Sequence, residues 1–213
     1  MSRHAILPSL SGVCSQALLA MMTAFLACLV AGTSWSHPHV FFTTSVDVVF
    51  DDKGLSGFEM TWVFDEMFSN MIILDFDANG NKTLEDPEVK KLEQTYFANL
   101  RKFNYFTHIK INGTPFKVDY VKDFSASIQD GQLTYRFFVP CHVAANASFK
   151  TIRLSVYDQT FYCSVFLKDD PVSYANSETM VVDHSIHANR DEAYYFGQVV
   201  PDEIALRFKN KNG

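Results

Sequence analysis

The sequence predicts an α+β protein: an antiparallel β-sandwich-like domain with an inserted helix–EF-hand-like loop–helix. Three observations carry that expectation. Apolar and polar residues alternate from Val40 to Val63 and again from Phe106 to Leu167, the two-residue period of half-buried strands. Between these stretches, over residues 65–104, the period changes to that of a helix. At the centre of the insertion, FDANGNKTLEDPE (residues 76–88) places oxygen-bearing side chains at every second position.

The chain starts with a weakly basic segment whose one Lys or Arg is Arg3. An apolar stretch, Ala17–Gly32, follows, then TSWS. This pattern reads as a secretory signal peptide over residues 1–36, with small residues Ser34 and Ser36 before a cut after Ser36. About sixteen apolar residues are short for a span of roughly twenty; an uncleaved anchor is the alternative. Removing 36 of 213 residues would leave 177, enough for one core over residues 37–213. Only Arg3 is lost from 18 basic residues set against 24 acidic ones, so the remaining net charge is −7. That sign argues against nucleic acid or an anionic membrane surface as partner. The expected location is the periplasm. Cys141 and Cys163 remain as an even pair in an oxidising compartment, and a disulfide between them is expected, with two buried free thiols as the alternative.

Element by element, Val40, Phe42, Thr44, Val46 and Val48 share one face of a first strand. DDKG turns the chain and residues 55–63 return it as a hairpin. Met67, Phe68, Met71 and Ile72 recur at helical spacing, which predicts a helix over 65–75. Asp86 and Pro87 start a second helix. Its apolar stripe, Val89, Leu92, Tyr96, Leu100 and Phe103, carries it to the end of the insertion. THIKI-NGT-PFKV and DFSASIQ-DGQ-LTYRFF read as two hairpins, with NG and DG as turn residues. FKTIRLSV and TFYCSVFL add strands. Residues 170–213 read as a less regular segment in which MVVDHSIH and EIALRF are candidate strands.

The 76–88 run fits a calcium loop best with Asp77 at position 1. Asn79, Asn81, the Thr83 carbonyl, Glu85 and Glu88 then occupy positions 3, 5, 7, 9 and 12, and Leu84 lands at the apolar position 8. The glycine expected at position 6 is replaced by Lys82, which must take positive φ at a cost of roughly 1 kcal/mol. With carboxylates only at Asp77, Glu85 and Glu88, the expected affinity for Ca2+ is near the millimolar end. The alternative is an Asn/Gly-rich turn that imitates such a loop.

A cut after Ser36 would expose His37-Pro38-His39-Val40. A free amine and two imidazoles within three residues suit Zn2+, Ni2+, Co2+ or Cu2+ rather than Ca2+. Pro38 lacks an N–H, so a square-planar chelate through that amide cannot form. Asp65, Glu66 and Asp158 are the carboxylates expected to complete such a site. His184 and His187, spaced i, i+3, would share a face on a helix. No G-x-S-x-G, H-E-x-x-H, P-loop or dinucleotide fingerprint occurs, so the chain reads as non-catalytic.

HPHV, the Phe-rich strand, TWVFDE, FDANGNKTLEDPE, FNYFTHI and SVYDQTFY together resemble the periplasmic family known as domain of unknown function 1007, over roughly residues 37–168. The resemblance implies a periplasmic component of uncharacterised ABC-type transport systems, some encoded beside nickel/cobalt-type transporters. Relatives usually carry Gly where this chain has Lys82. Two functions follow as expectations. One is a metal-binding accessory to membrane metal transporter components, with His37 and His39 capturing the ion. The other is a structural or interaction module stabilised by calcium.

Overall fold

The structure, a computed structural model, describes residues 21–22 and 38–211, and the chain divides into units Met1–Ser36 and His37–Gly213. In the first unit Met21 and Met22 are helical and exposed. The rest of the expected leader, its cut and His37 lie outside the described residues. No described helix is long and apolar enough to cross a membrane.

The second unit is a mixed α+β fold dominated by two five-stranded sheets. Strand β1, Val40–Asp51, alternates as its sequence requires: Val40, Phe42, Thr44, Val46, Val48 and Phe50 are buried. It pairs antiparallel with β2, Gly54–Phe64. The later strands are β3 (Thr107–Ile111), β4 (Thr114–Phe116), β5 (Lys122–Gln129), β6 (Gln132–Ala144) and β7 (Lys150–Val156). They are followed by β8 (Cys163–Ala175), β9 (Met180–Ala188) and β10 (Asp202–Asn210). One sheet has the order β5-β6-β2-β1-β8 and the other β4-β3-β7-β10-β9. Phe50, Phe58 and Trp62 of the first sheet share one core with Ile152, Leu154, Leu206 and Phe208 of the second.

The NG and DG turns behave as read. Asn112 and Gly113, and Asp130 and Gly131, all take positive φ, as a type I′ turn demands. Where β2 meets β6 the register shifts between Leu55 and Gly57. A Cβ on Gly57 would lie 2.3 Å from the Val139 carbonyl oxygen, so glycine is required there.

Three expectations change. The sheets are not wholly antiparallel, because β1 and β8 run parallel, Val40 beside Cys163. Residues 170–211 are more regular than expected: they supply the end of β8, β9 and β10, with a short irregular stretch between the last two. The second predicted helix is short. Helix α1 spans Glu66–Phe76 and α2 spans Asp86–Thr95, but at Tyr96 the chain tightens into a 3₁₀ segment, Phe97–Phe106. That segment ends with Asn104, Tyr105 and Phe106 at φ near +50°. Tertiary packing overrides the helical stripe here: Phe97, Tyr105 and Phe106 are buried while Tyr96 and Phe103 stay exposed.

Candidate functional site

Asp77 organises the 77–88 loop. Its Oδ1 accepts the backbone N–H groups of Gly80 and Asn81, and its Oδ2 that of Lys82 at 2.7 Å. Lys82 adopts φ +63°, the strained conformation that the register with Asp77 first demands. Glu88 closes the other side, accepting from Ala78 N at 2.8 Å and from Glu85 N at 3.0 Å. The Glu85–Glu88 pair is a capping box for α2, so one carboxylate serves the helix and the loop together. Glu85 accepts from the side-chain amides of Asn81 and Asn79, and these bonds hold its carboxyl below the usual range. Asn81 Oδ1 accepts from the Thr83 hydroxyl and N–H. The six side chains thus converge on one turn.

The transition-metal set fares differently. His39 is exposed, donates its backbone N–H to the Tyr162 carbonyl, and lays its ring 5.1 Å from that of Tyr162. Asp65 is the N-cap of α1: Oδ1 accepts from Phe68 N and Oδ2 from Phe41 N. Glu66 is exposed in the first turn of α1. Asp158 is buried and accepts from Thr160 N and Oγ1, Tyr162 N and Cys163 N. Asp65 and Asp158 lie at the same end of the sheet as His39, yet their oxygens are committed to tying chain segments together. Among the described residues no three His, Cys, Asp or Glu side chains are placed to hold one ion.

The expected disulfide is absent. Cys141 and Cys163 are buried and free. They sit on β6 and β8, three inter-strand spacings apart, roughly 14 Å at about 4.8 Å each. Cys163 faces Val40 at the start of β1, whereas Cys141 follows Pro140, which faces Gly57 and so Val49, about 30 Å further along. A disulfide needs Cα atoms within about 7 Å. Burial pushes both thiols up to about 12. The i, i+3 reading of His184 and His187 also fails, because both lie on β9, where odd spacing puts them on opposite faces. His184 meets the Tyr174 hydroxyl and His187 the Glu203 carboxylate.

Two concave regions were missed by sequence reasoning. One is polar and lies against β3, β7 and β10. Its groups are internally matched: Lys110 with Glu192, Arg153 with Glu203, and Tyr157 Oη donating to Glu192. His108 stacks on Tyr157 at 3.8 Å, and burial lowers its pKa. His108 Nε2 is 3.1 Å from the Tyr157 carbonyl, to which it donates, leaving Nδ1 as the acceptor nitrogen of the neutral ring. The other is a cavity of about 420 Å³ between the first sheet, helix α1, the 96–106 segment and the 158–163 loop. The signal for it was present in the pairing register, which a linear reading does not supply.

A family profile described as "Protein of unknown function (DUF1007)" matches residues 22–209. The chain belongs to that family. The match includes the segment after Asp169 that the sequence motifs left unaligned. An uncharacterised 15.5 kDa protein of the trpE 3′ region in Spirochaeta aurantia is 36% identical over 131 residues, 61% of this chain and 93% of that protein. An uncharacterised Haemophilus influenzae protein is 28% identical over 133 residues. That alignment covers 61% of this chain and 62% of the Haemophilus protein.

Proposed function

We propose that the chain is a periplasmic, non-catalytic binding component of β-sandwich architecture whose EF-hand-like loop takes Ca2+. One observation carries this reading: the Asp77 carboxylate gathers three successive N–H groups while Lys82 bears positive φ. Positive φ at Lys82 is what the frame starting at Asp77 requires of position 6; Phe161 and Tyr195 take it as well, so the reading rests on the combination with the Asp77 hydrogen bonds. Asp77, Glu85 and Glu88 are not gathered on one point in the structure, and the oxygens of Asp77 and Glu88 accept backbone N–H groups, so taking up the ion requires the loop to turn oxygens inward. Asp77, Asn79, Asn81, the Thr83 carbonyl, Glu85 and Glu88 offer hard oxygens. Asn79 and Asn81 now direct their NH2 groups at Glu85, and turning the amides would present oxygen instead. The ion would lock α1 to α2 and supply no reaction chemistry.

Calcium titration with thermal unfolding tests this. At a calcium concentration ten times the Kd, mass action contributes about 1.4 kcal/mol, a rise of roughly 3–6 °C. Glu88→Gln should abolish the rise. A melting temperature indifferent to 10 mM calcium would refute it.

A second reading is favoured by the exposure of His39. The protein would serve as accessory to a membrane metal transporter, holding Ni2+, Co2+, Zn2+ or Cu2+ through His37, His39 and the amine freed at residue 37. Asp65 and Asp158 are omitted from that ligand set because their oxygens are occupied. One-to-one binding that survives His37→Ala with His39→Ala would defeat it.

A further inference from the structure

The 420 Å³ cavity is framed by backbone held in unfavourable conformations. Along one wall Asn104, Tyr105 and Phe106 take positive φ in succession, at +53°, +50° and +53°. Asparagine tolerates that region, but a bulky aromatic residue enters it only under strain. Past this bend Phe106 lies against Trp62 with ring centroids 6.0 Å apart. Along another wall Phe161 takes φ +57° between Thr160 and Tyr162, which both line the cavity. The Asp158 carboxylate fixes that loop through the N–H groups of Thr160, Tyr162 and Cys163. Strain of this kind persists where the surrounding structure over-determines it, and it clusters at ligand sites. Two separate walls of one cavity are built that way.

The lining is uniform in chemistry. Ten of the sixteen lining residues are aromatic, and Val40, Met71, Leu100 and Cys163 add apolar surface. Met71, Tyr96, Phe103 and Tyr162 are exposed and form the mouth. The volume falls in the range of about 300–1,000 Å³ typical of small-molecule sites. No Lys, Arg or His lines the cavity, so an anion would meet no counter-charge. The single charged residue, Asp158, is an acid saturated by its own loop, so it offers little to a cation and repels an anion. Bringing an unpaired charge against apolar walls is costly. Aromatic walls can hold a quaternary ammonium ion, the one charged class left as a competitor. The lining itself matches a solute that is apolar and carries no charge.

We propose that this cavity binds a small, uncharged, apolar molecule, held by burial against the aromatic walls rather than by a polar anchor. The site is separate from the ion sites above and stands without them.

The test uses the full chain with Trp35→Phe, which leaves Trp62 as the fluorescent donor. N-phenyl-1-naphthylamine is neutral, and 8-anilinonaphthalene-1-sulfonate is the same skeleton with a sulfonate added; choline probes the cationic alternative. Energy transfer from Trp62 should report saturable one-to-one binding of the neutral amine, about tenfold or more tighter than the sulfonate. Met71→Lys puts an ammonium at the mouth, on an exposed helical position, and should weaken the neutral probe and tighten the sulfonate. Phe103→Ala removes part of a wall and should weaken both. Leu74→Lys, on the same helix but 85% exposed and outside the lining, should change neither. Unsaturable responses, a sulfonate as tight as the neutral amine, displacement of the amine by choline, indifference to Phe103→Ala, or equal effects of the two lysine variants would each overturn the proposal. Loss of the signal as the chain self-associates in sedimentation would give the face to a second copy and overturn it too.

Discussion

Tyr135→Phe should make the protein more stable. Tyr135 is 3% exposed, and burial, the main cause, drives its hydroxyl pKa well above the phenol range. The ring packs against Phe64, Phe124, Phe97 and Trp62's neighbours at centroid distances of 4.8, 5.1 and 5.9 Å for the three phenylalanines. Phenylalanine keeps those contacts and removes only the oxygen. The oxygen has no partner, so the folded chain bears its uncompensated desolvation, about 1–3 kcal/mol. For a domain of this size each kcal/mol corresponds to about 2–4 °C, which gives a rise of roughly 2–12 °C. Thermal unfolding followed by circular dichroism or calorimetry at fixed protein concentration reads it directly. A lower melting temperature would mean that the hydroxyl is satisfied in the folded protein, and the premise of an unpartnered Tyr135 oxygen would fail.

The remaining predictions concern groups with defined surroundings. Cys141 and Cys163 should each resist alkylation in the folded protein and react once it is unfolded, and reductant should leave the melting temperature unchanged; a mass two units low for the unreduced chain would contradict the register argument. His108 should make the fold acid-sensitive. Burial lowers its folded pKa below the unfolded value of about 6.5, so the unfolded chain binds more protons between the two. Its penalty is absent above that value and grows as pH falls toward the folded pKa. A melting profile from pH 7 to 5 should flatten in His108→Gln, and an unaltered slope would exclude His108 as the cause.

Much of the fold was legible because strand alternation and turn chemistry are local. The Val40–Phe50 face and the Asn112-Gly113 and Asp130-Gly131 turns follow from a few adjacent residues each. Lys82 takes the positive φ that a frame starting at Asp77 requires, a local backbone feature. What failed depended on partners distant in sequence. Phe97 and Phe106 break the predicted helix because they stack on Phe124 and Trp62. The Cys141–Cys163 pair looked natural only until the sheet order put β2 and β1 between them. Asp65 and Asp158 have the composition of ligands, but Phe41, Phe68 and the 160–163 backbone claim their oxygens first. The apolar cavity draws its walls from β1, β2, β6, α1 and two further segments, and no window of sequence contains it.

The parallel β1–β8 ladder also sets an order of events. Residues 40–49 wait for residues 163–175, so the sheet acquires its final edge only after more than a hundred further residues have been delivered. Until then β1 presents an open hydrogen-bonding edge and a run of valines and phenylalanines, the kind of surface that invites self-association. Distant pairing of this sort is slow to form. The nascent chain consequently has a vulnerable interval, ended by β8, during which a chaperone or rapid dilution would decide how much of it reaches the native state.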